Sequence, residues 1–377
     1  MKCLPEGFLI LSTVFLNYRG IFGLWPPPAR LAAVRVAFFG SPAFALPSLD
    51  ALLGAGHDVV LVVSQPARPV GRHAAPEDPP VAARARALGL PLWQPESLKG
   101  EAAMERLAAP GADLFVVVAY GRILGPRTLS IPPLGCLNVH GSLLPRWRGA
   151  SPVQAALLAG DVETGVSLMK LDAGMDTGPV YAKARTPVEP EDDAETLSVR
   201  LARMGASILA EKLPSIASGG LVPVAQQEAL ATECGRISRE DARVDWTLSA
   251  ETIARRARAF TPWPGLYCER AGRRMKLSAV AAVAAVAAVA NVNAVSAVKA
   301  AKAVNAEEAV NAVTSHGPPT TGEPPAPGTV LAVGEFLVVA CGEGCLAVGV
   351  LQAEGKRALP AREFAAGARL VAGERLS

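Results

Sequence analysis

At 377 residues, half of them hydrophobic, the chain has the material for two packed domains, and 37 basic against 34 acidic residues leave it at +3. That balance permits a nucleic-acid partner and suits an ordinary soluble enzyme equally, so charge selects no function class. The six cysteines (Cys3, Cys136, Cys234, Cys268, Cys341 and Cys345) form no CxxC pair and no CxxC/HxxxH arrangement, which argues against a structural zinc site and a disulfide framework and points to a reducing compartment.

Lys2 followed by the apolar run Phe8 to Leu16 imitates a secretory signal only loosely. The run is about half the ~20 residues a membrane span needs, and no small-residue cleavage pattern follows. Residues 1–33 read as a disordered extension or as a start codon placed too far upstream, and the interpretable fold begins at Val34 or Arg35.

Val34 to Phe39 is a strand-type apolar run that Gly40-Ser41-Pro42 turns into a helical segment ending near Gly54 and Gly56. Ser41 is expected to cap that helix and Pro42 to occupy its first position. The turn reads GSPAFA; without the second and third glycines of GxGxxG the backbone cannot approach a pyrophosphate, so NAD is set aside. Further buried strands are expected at Asp58 to Ser64, Asp113 to Ala119, Gly135 to His140 and Gly165 to Leu171, with helices at Pro80 to Leu88 and Pro152 to Leu158. Uninterrupted apolar strands alternating with helices predict an α/β fold, a Rossmann-like mostly parallel sheet with helices on both faces, spanning 34–220. The acidic start EPEDDAE predicts a helix over Glu191 to Gly219.

Residues 221–237 read as a linker, and 238–377 as a second domain. There, a helix in LSAETIARRARAF precedes short strand candidates at Leu266 to Arg270, Arg274 to Ser278, Gly328 to Val333, Phe336 to Ala340 and Cys345 to Leu351, which together predict a small OB-like β-barrel. Within it, 279–325 is expected to be a low-complexity insertion, because valines recurring at every third position from Val280 to Val298 fit no stable packing stripe. Asn291, Asn293 and Ser296 argue against a membrane span there.

Three of the four histidines, His57, His73 and His316, lie at a helix exit, in a Pro-rich loop and in the low-complexity segment. His140 alone sits in an apolar strand, where alternation places it on the same face as Asn138. Two polar side chains buried together form either a satisfied structural pair or a site. The second reading gains from the position of NVH at a strand end, the edge where α/β sheets gather ligands, and from the glycine-bracketed loop in LDAGMDTGPV, which can return Asp176 over that edge. Asp172 reads as a turn residue. An amide, an imidazole and a carboxylate without a Ser or Cys nucleophile suit attack of an amine on an activated acyl or formyl carbon.

VVAYGRIL (Val117 to Leu124), NVHGSLLPRWRGASP and LDAGMDTGPV, in this order and spacing, resemble the folate-dependent formyltransferases. The resemblance implies 10-formyltetrahydrofolate as co-substrate, no metal, and Asn138, His140 and Asp176 as the catalytic residues. It places Ser142, Leu143, Leu144 and Pro145 at the folate site, with Arg146 and Arg148 continuing the loop around it toward substrate. SQPARPVGR, REDARVDWTLSAETI and RAFTPWPG resemble the branch acting on an aminoacyl-tRNA, which implies initiator methionyl-tRNA as partner, Arg68 and Arg72 as acceptor-stem contacts, and a cytoplasmic monomer. Basic residues of the second domain, among them Arg255, Arg256, Arg258, Arg270 and Arg274, are candidate phosphate contacts. The loop GRHAAPEDPP lacks the lysines the family often carries there, which bears on RNA affinity more than on chemistry. A formyltransferase acting on a small amine and a non-catalytic RNA-binding protein are the competing readings.

Overall fold

Val- and Phe-rich runs with no polar interruption can only be buried on both faces, and they build the centre of the molecule. A computed structural model of the chain describes residues 33–69, 75–283 and 325–377, in which Val34–Ser377 form one compact unit. Expectations for residues 1–32, Arg72, His73 and most of the insertion lie outside the described residues.

In chain order the first half contains β1 (Arg35–Gly40), α1 (Leu46–Gly54), β2 (Asp58–Val63), a short hairpin of β3 (Arg68–Pro69) and β4 (Pro76–Glu77), α2 (Pro80–Ala87), β5 (Leu92–Trp93), α3 (Glu101–Ala108), β6 (Leu114–Val118), α4 (Pro126–Leu129), β7 (Cys136–His140), β8 (Arg148–Gly149), α5 (Pro152–Ala159), β9 (Glu163–Lys170), β10 (Val180–Pro187) and α6 (Ala194–Ala217). The sheet order is β10-β9-β7-β6-β1-β2-β5, parallel from β5 to β7. Strands β9 and β10 run antiparallel to their neighbours. Strand β10 was not anticipated, because at the sheet edge its exposed Lys183 and Arg185 break the apolar run.

From β1 the chain first builds outward to β5 and then returns on the other side through β6. This reversal opens a crevice at the carboxyl ends of β1 and β6. Ser41, at the end of β1, does not cap a helix: its hydroxyl accepts from Gln65 N (3.1 Å) and lies 3.5 Å from Tyr120 O, so it ties loops at the crevice together. Helix α6 starts on a capping box at Asp193 and Thr196 and packs under the sheet. Its Gly205 allows contact with β7, since a Cβ there would lie 2.5 Å from Val139 Cγ1.

The expected linker carries β11 (Glu233–Cys234), which pairs with β8. Beyond it come α7 (Ala250–Ala259), β12 (Tyr267–Arg270), β13 (Arg273–Val283), β14 (Val330–Val333), β15 (Leu337–Ala340), β16 (Cys345–Ala353), β17 (Leu359–Pro360) and α8 (Ala361–Ala368). Their antiparallel sheet runs β12-β13-β16-β15-β14, with β17 also on β16. Residues 373–377 bridge the two edges: Val330 N donates to Glu374 O (2.8 Å), and Ser377 N donates to Glu269 O (3.0 Å). The sequence VAGERLS lacks alternation, so this bridging segment was not legible. Core residues from Leu49 to Leu376 form one cluster across both halves, with α7 against α5.

One boundary is corrected. Ala279 to Val283, expected to open the insertion, continue β13 and face β16 in register, Ala281 opposite Ala347 and Val283 opposite Cys345. Cross-strand partners decide what a three-residue periodicity could not.

Two stability outcomes follow. Ala281→Asp buries an unpaired charge and should cost about 3 kcal/mol or more in denaturant unfolding; an unchanged midpoint would return 279–283 to a loop. Gly205→Ala should destabilise by roughly 1 kcal/mol in the same measurement, because overpacking against Val139 outweighs the gain in helix propensity.

Candidate functional site

Strand β7 is buried along its whole length, so Asn138 (9% exposed) and His140 (5%) need partners within the protein. Both find them on one carboxylate. Asn138 Nδ2 donates to Asp176 Oδ1 at 3.2 Å, and His140 Nδ1 stands 3.5 Å from Asp176 Oδ2. Oδ2 also accepts from the backbone N–H of Gly149 at 2.9 Å. The other ring nitrogen of His140 is 2.9 Å from the carbonyl of Trp147. A carbonyl only accepts, so Nε2 carries the hydrogen and Nδ1 is the position turned to the acid.

Two of the three segments that meet here hold non-glycine residues in the left-handed region, Trp147 at φ 59° and Asp176 at φ 54°. Such conformers cost of order 1 kcal/mol each and persist where surrounding contacts over-determine them. At Trp147 the N–H donates to Thr232 Oγ1 (2.9 Å), and on either side of it Thr232 N donates to Pro145 O and Arg148 N to Thr232 O. Gly149 must be glycine: its φ is 116°, and a Cβ would lie 2.2 Å from Cys234 O. In the acid loop Asp172 acts as the expected turn residue, its carboxylate accepting from Gly174 N and Thr177 Oγ1.

The segment Ser142 to Pro145 is held from several directions. Ser142 Oγ donates to Arg146 O (2.6 Å), Ser167 Oγ donates to Ser142 O (2.7 Å) and accepts from Leu144 N (3.0 Å), and Lys183 Nζ donates to Leu144 O. Partial desolvation at its ammonium end, with the like charge of Arg185 nearby, lowers the Lys183 pKa. Leu144 is fully buried against Met169 and Val180, the Leu144–Pro145 bond is cis, and Leu143 and Pro145 are half-buried.

The arginines differ in what they do. Arg146 forks onto Asp161 (2.6 and 2.9 Å) and lies 4.4 Å over the Trp147 ring, whose Nε1 donates to the same carboxylate. Arg148 is 4% exposed, with its guanidinium on both oxygens of Glu228 (2.7 and 2.9 Å) and on Gln226. The Arg148 hydrogen bonds hold the Glu228 carboxyl below its ordinary range. Both arginines therefore brace the loop, Arg146 from its exposed side and Arg148 from its buried side. Arg68 is exposed on the β3–β4 hairpin. In the second half Arg270 is forked onto Glu374, Arg256 and Arg258 donate to backbone carbonyls, and Arg274 stacks 4.0 Å over Tyr267.

The structure thus brings together Asn138, His140 and Asp176, and adds Gly149, Thr232 and Gln226, which carried no sequence signal except that Gly149 lies in the RWRG run. A cavity of about 590 Å³ between Glu96–Gly100 and Arg122–Thr128 includes none of these residues. Among the described residues no cluster of His, Cys, Asp and Glu could hold a metal ion, and no helix is long and apolar enough to cross a membrane.

Comparison with known proteins adds ancestry to geometry. A family described as formyl transferase matches residues 34–213, and one described as formyl transferase, C-terminal domain, matches 236–369. The methionyl-tRNA formyltransferase of Parvibaculum lavamentivorans is 40% identical over 343 residues, 90% of this chain and 99% of that protein. That of Anaeromyxobacter dehalogenans is 48% identical over 244 residues, 65% of this chain and 78% of its own. Among solved structures, an N-formyltransferase from Helicobacter canadensis, in complex with folinic acid and dTDP-3-aminofucose, aligns with a TM-score of 0.57 at 15% identity over 84% of this chain and 98% of its own. HypX from Aquifex aeolicus aligns with the same TM-score and identity over 91% of this chain and 49% of its own. At such identities these two speak for the fold alone. The family matches cover the α/β half, the trio and most of the antiparallel half: the chain belongs to the formyltransferase family.

Proposed function

We propose that the chain transfers the formyl group of 10-formyltetrahydrofolate to the α-amino group of methionine on initiator methionyl-tRNA, acting as a cytoplasmic monomer. One observation carries the chemistry: a single buried-edge carboxylate joins an amide and an imidazole, both on strand β7, to a backbone N–H of the RWRG loop. The choice of amine is supported by relatives of that name at 40–48% identity, one of them matched over 99% of its length.

In this reading the neutral amine attacks the formyl carbon, a C–N bond forms and the carbonyl oxygen takes the negative charge. Asn138 has a second amide hydrogen beyond the one given to Asp176, and it donates to that oxygen. The imidazole of His140, held by Trp147 O and faced by Asp176, stabilises the same charge when both nitrogens carry hydrogen. Asp176 takes the proton the amine releases, directly or through water. Collapse re-forms the carbonyl and breaks the bond from carbon to the folate nitrogen, which leaves with the proton that Asp176 took from the amine. The donor lies along Ser142 to Pro145, where Leu143 and Pro145 are the side chains not buried in the core. Arg68 and Arg72 contact the acceptor stem as sequence-independent phosphate partners, and Arg146 and Arg148 serve substrate through the loop they brace.

No thiol takes part. Cys234 contacts the site loop, its Sγ 3.3 Å from Arg148 O, and burial pushes its pKa up, away from the thiolate a nucleophile needs.

Incubation with 10-formyltetrahydrofolate and charged initiator tRNA should yield formyl-methionyl-tRNA; absence of that product alongside formylation of a small free amine would overturn the reading. Replacement of His140, Asp176 or Asn138 by Ala should lower kcat on the order of 10²-fold or more with the circular-dichroism spectrum retained, and wild-type turnover in any of the three would remove that residue from the chemistry. Cys234→Ser should keep turnover within about twofold of wild type, as expected of a group outside the reacting set; its inactivation would point to a covalent route instead.

A further inference from the structure

Residues 221–237 were expected to be a plain connector, but one side chain in them reaches both loops of the site. Val224 forms a two-way backbone bridge with Val180, each N–H donating to the other's carbonyl at 2.8 Å, which anchors the segment where the acid loop ends. Two residues on, Gln226 Nε2 donates to the carbonyl oxygens of Asp176 and Gly178, both at 2.7 Å. Its Oε1 accepts from Arg148 Nε at 3.1 Å. Only this orientation of the amide satisfies two acceptors on one side and a donor on the other.

The two loops joined in this way are those that deliver the reacting groups. On one side is Asp176, in a left-handed conformation whose carbonyl direction Gln226 fixes. On the other, Arg148 sits between Trp147, whose carbonyl orients His140, and Gly149, whose N–H binds the Asp176 carboxylate. The far face of the acid loop is packed tight, since a Cβ on Gly178 would lie 1.9 Å from Lys170 O. Gln226 closes the near face.

We propose that Gln226 is a positioning residue for formyl transfer, setting the distance between the Asp176 carboxylate and the His140 ring by clamping both loops from the connector; the inference rests on the function proposed above. Gln226 is half-buried, and its side-chain hydrogen bonds go to backbone carbonyls and Arg148, not to His140 or the Asp176 carboxylate. A displacement of the acid by about an ångström lowers turnover on the order of 10²-fold without removing substrate contacts.

The test uses the full chain with Gln226→Ala, Gln226→Glu and, as control, Gln227→Ala at the exposed neighbour. Gln226→Ala should lower kcat by roughly tenfold to 10²-fold while KM for both substrates stays within about threefold, the pattern of an interaction needed in the transition state. Gln226→Glu keeps the size but offers two carbonyls a carboxylate that cannot donate, and should fall at least as far; Gln227→Ala should match wild type. Hydrogen exchange provides a readout independent of activity. The Gly149 amide, bonded to Asp176, should exchange at least about tenfold faster in both Gln226 variants, as expected when a local hydrogen bond is loosened. Wild-type kcat in Gln226→Ala, a loss confined to KM, or unchanged Gly149 exchange would overturn the inference. A wild-type chain that formylates nothing, with Gly149 exchange still accelerated in the variants, would instead count against the proposed reaction and leave the clamp standing.

Discussion

A single carboxylate holds the site together. Asp176 receives the amide of Asn138, the N–H of Gly149 and the near edge of the His140 ring, so side chains from β7 and backbone from the RWRG loop are fixed relative to one oxygen pair. Burying an amide and an imidazole in the strand that carries them is favourable only with such a partner. The loop bringing that partner is bent through a conformation few non-glycine residues adopt, and it is supported on both faces. Fold and proposed chemistry thus share one constraint, the return of the acid over the edge of the sheet.

The remainder of the architecture serves that return. Antiparallel β9 and β10 reverse the chain beside β7, and the LDAGMDTGPV loop between them ends above Asn138 and His140. Strand β11 lies along β8, and residues 226–234 act as a third wall of the site. The path to the antiparallel half therefore passes through the site instead of around it. Helix α7 then packs on α5, and Arg258 donates to Asp192 O at 3.0 Å, joining the halves through one core.

Much of this was legible in the sequence for physical reasons. Continuous apolar runs identified β1, β2, β6 and β7, and alternation at β7 placed Asn138 and His140 on one face. The reach of Asp176 was readable from glycines bracketing the loop. Elements of mixed polarity were not: edge strand β10, where small Ala182 and Ala184 alternate with Lys183 and Arg185, the one-sided eight-residue helix α3, the bridging segment 373–377 and the two-residue β11 are short or weakly apolar and are defined by their neighbours. Composition misplaced the start of the insertion, because an Ala/Val run is equally good strand when a partner such as β16 lies alongside. Charge was the poorest guide. Arg256, Arg258 and Arg270 read as candidate phosphate contacts in one dimension and are bound to oxygens of the protein itself in three, as is Arg148, read as facing substrate. A sequence shows how many donors it has and says little about which acceptors they have already met.

The arrangement of the His140 ring tests the account most directly. With His57, His73 and His316 replaced by Gln, the nitrogen-15 spectrum of the chain reports His140 alone. The account predicts hydrogen on Nε2 toward the Trp147 carbonyl, and a signal from Nδ1 that moves when Asp176 is replaced by Asn. A ring whose nitrogens exchange hydrogen as in free imidazole, indifferent to that replacement, would contradict it.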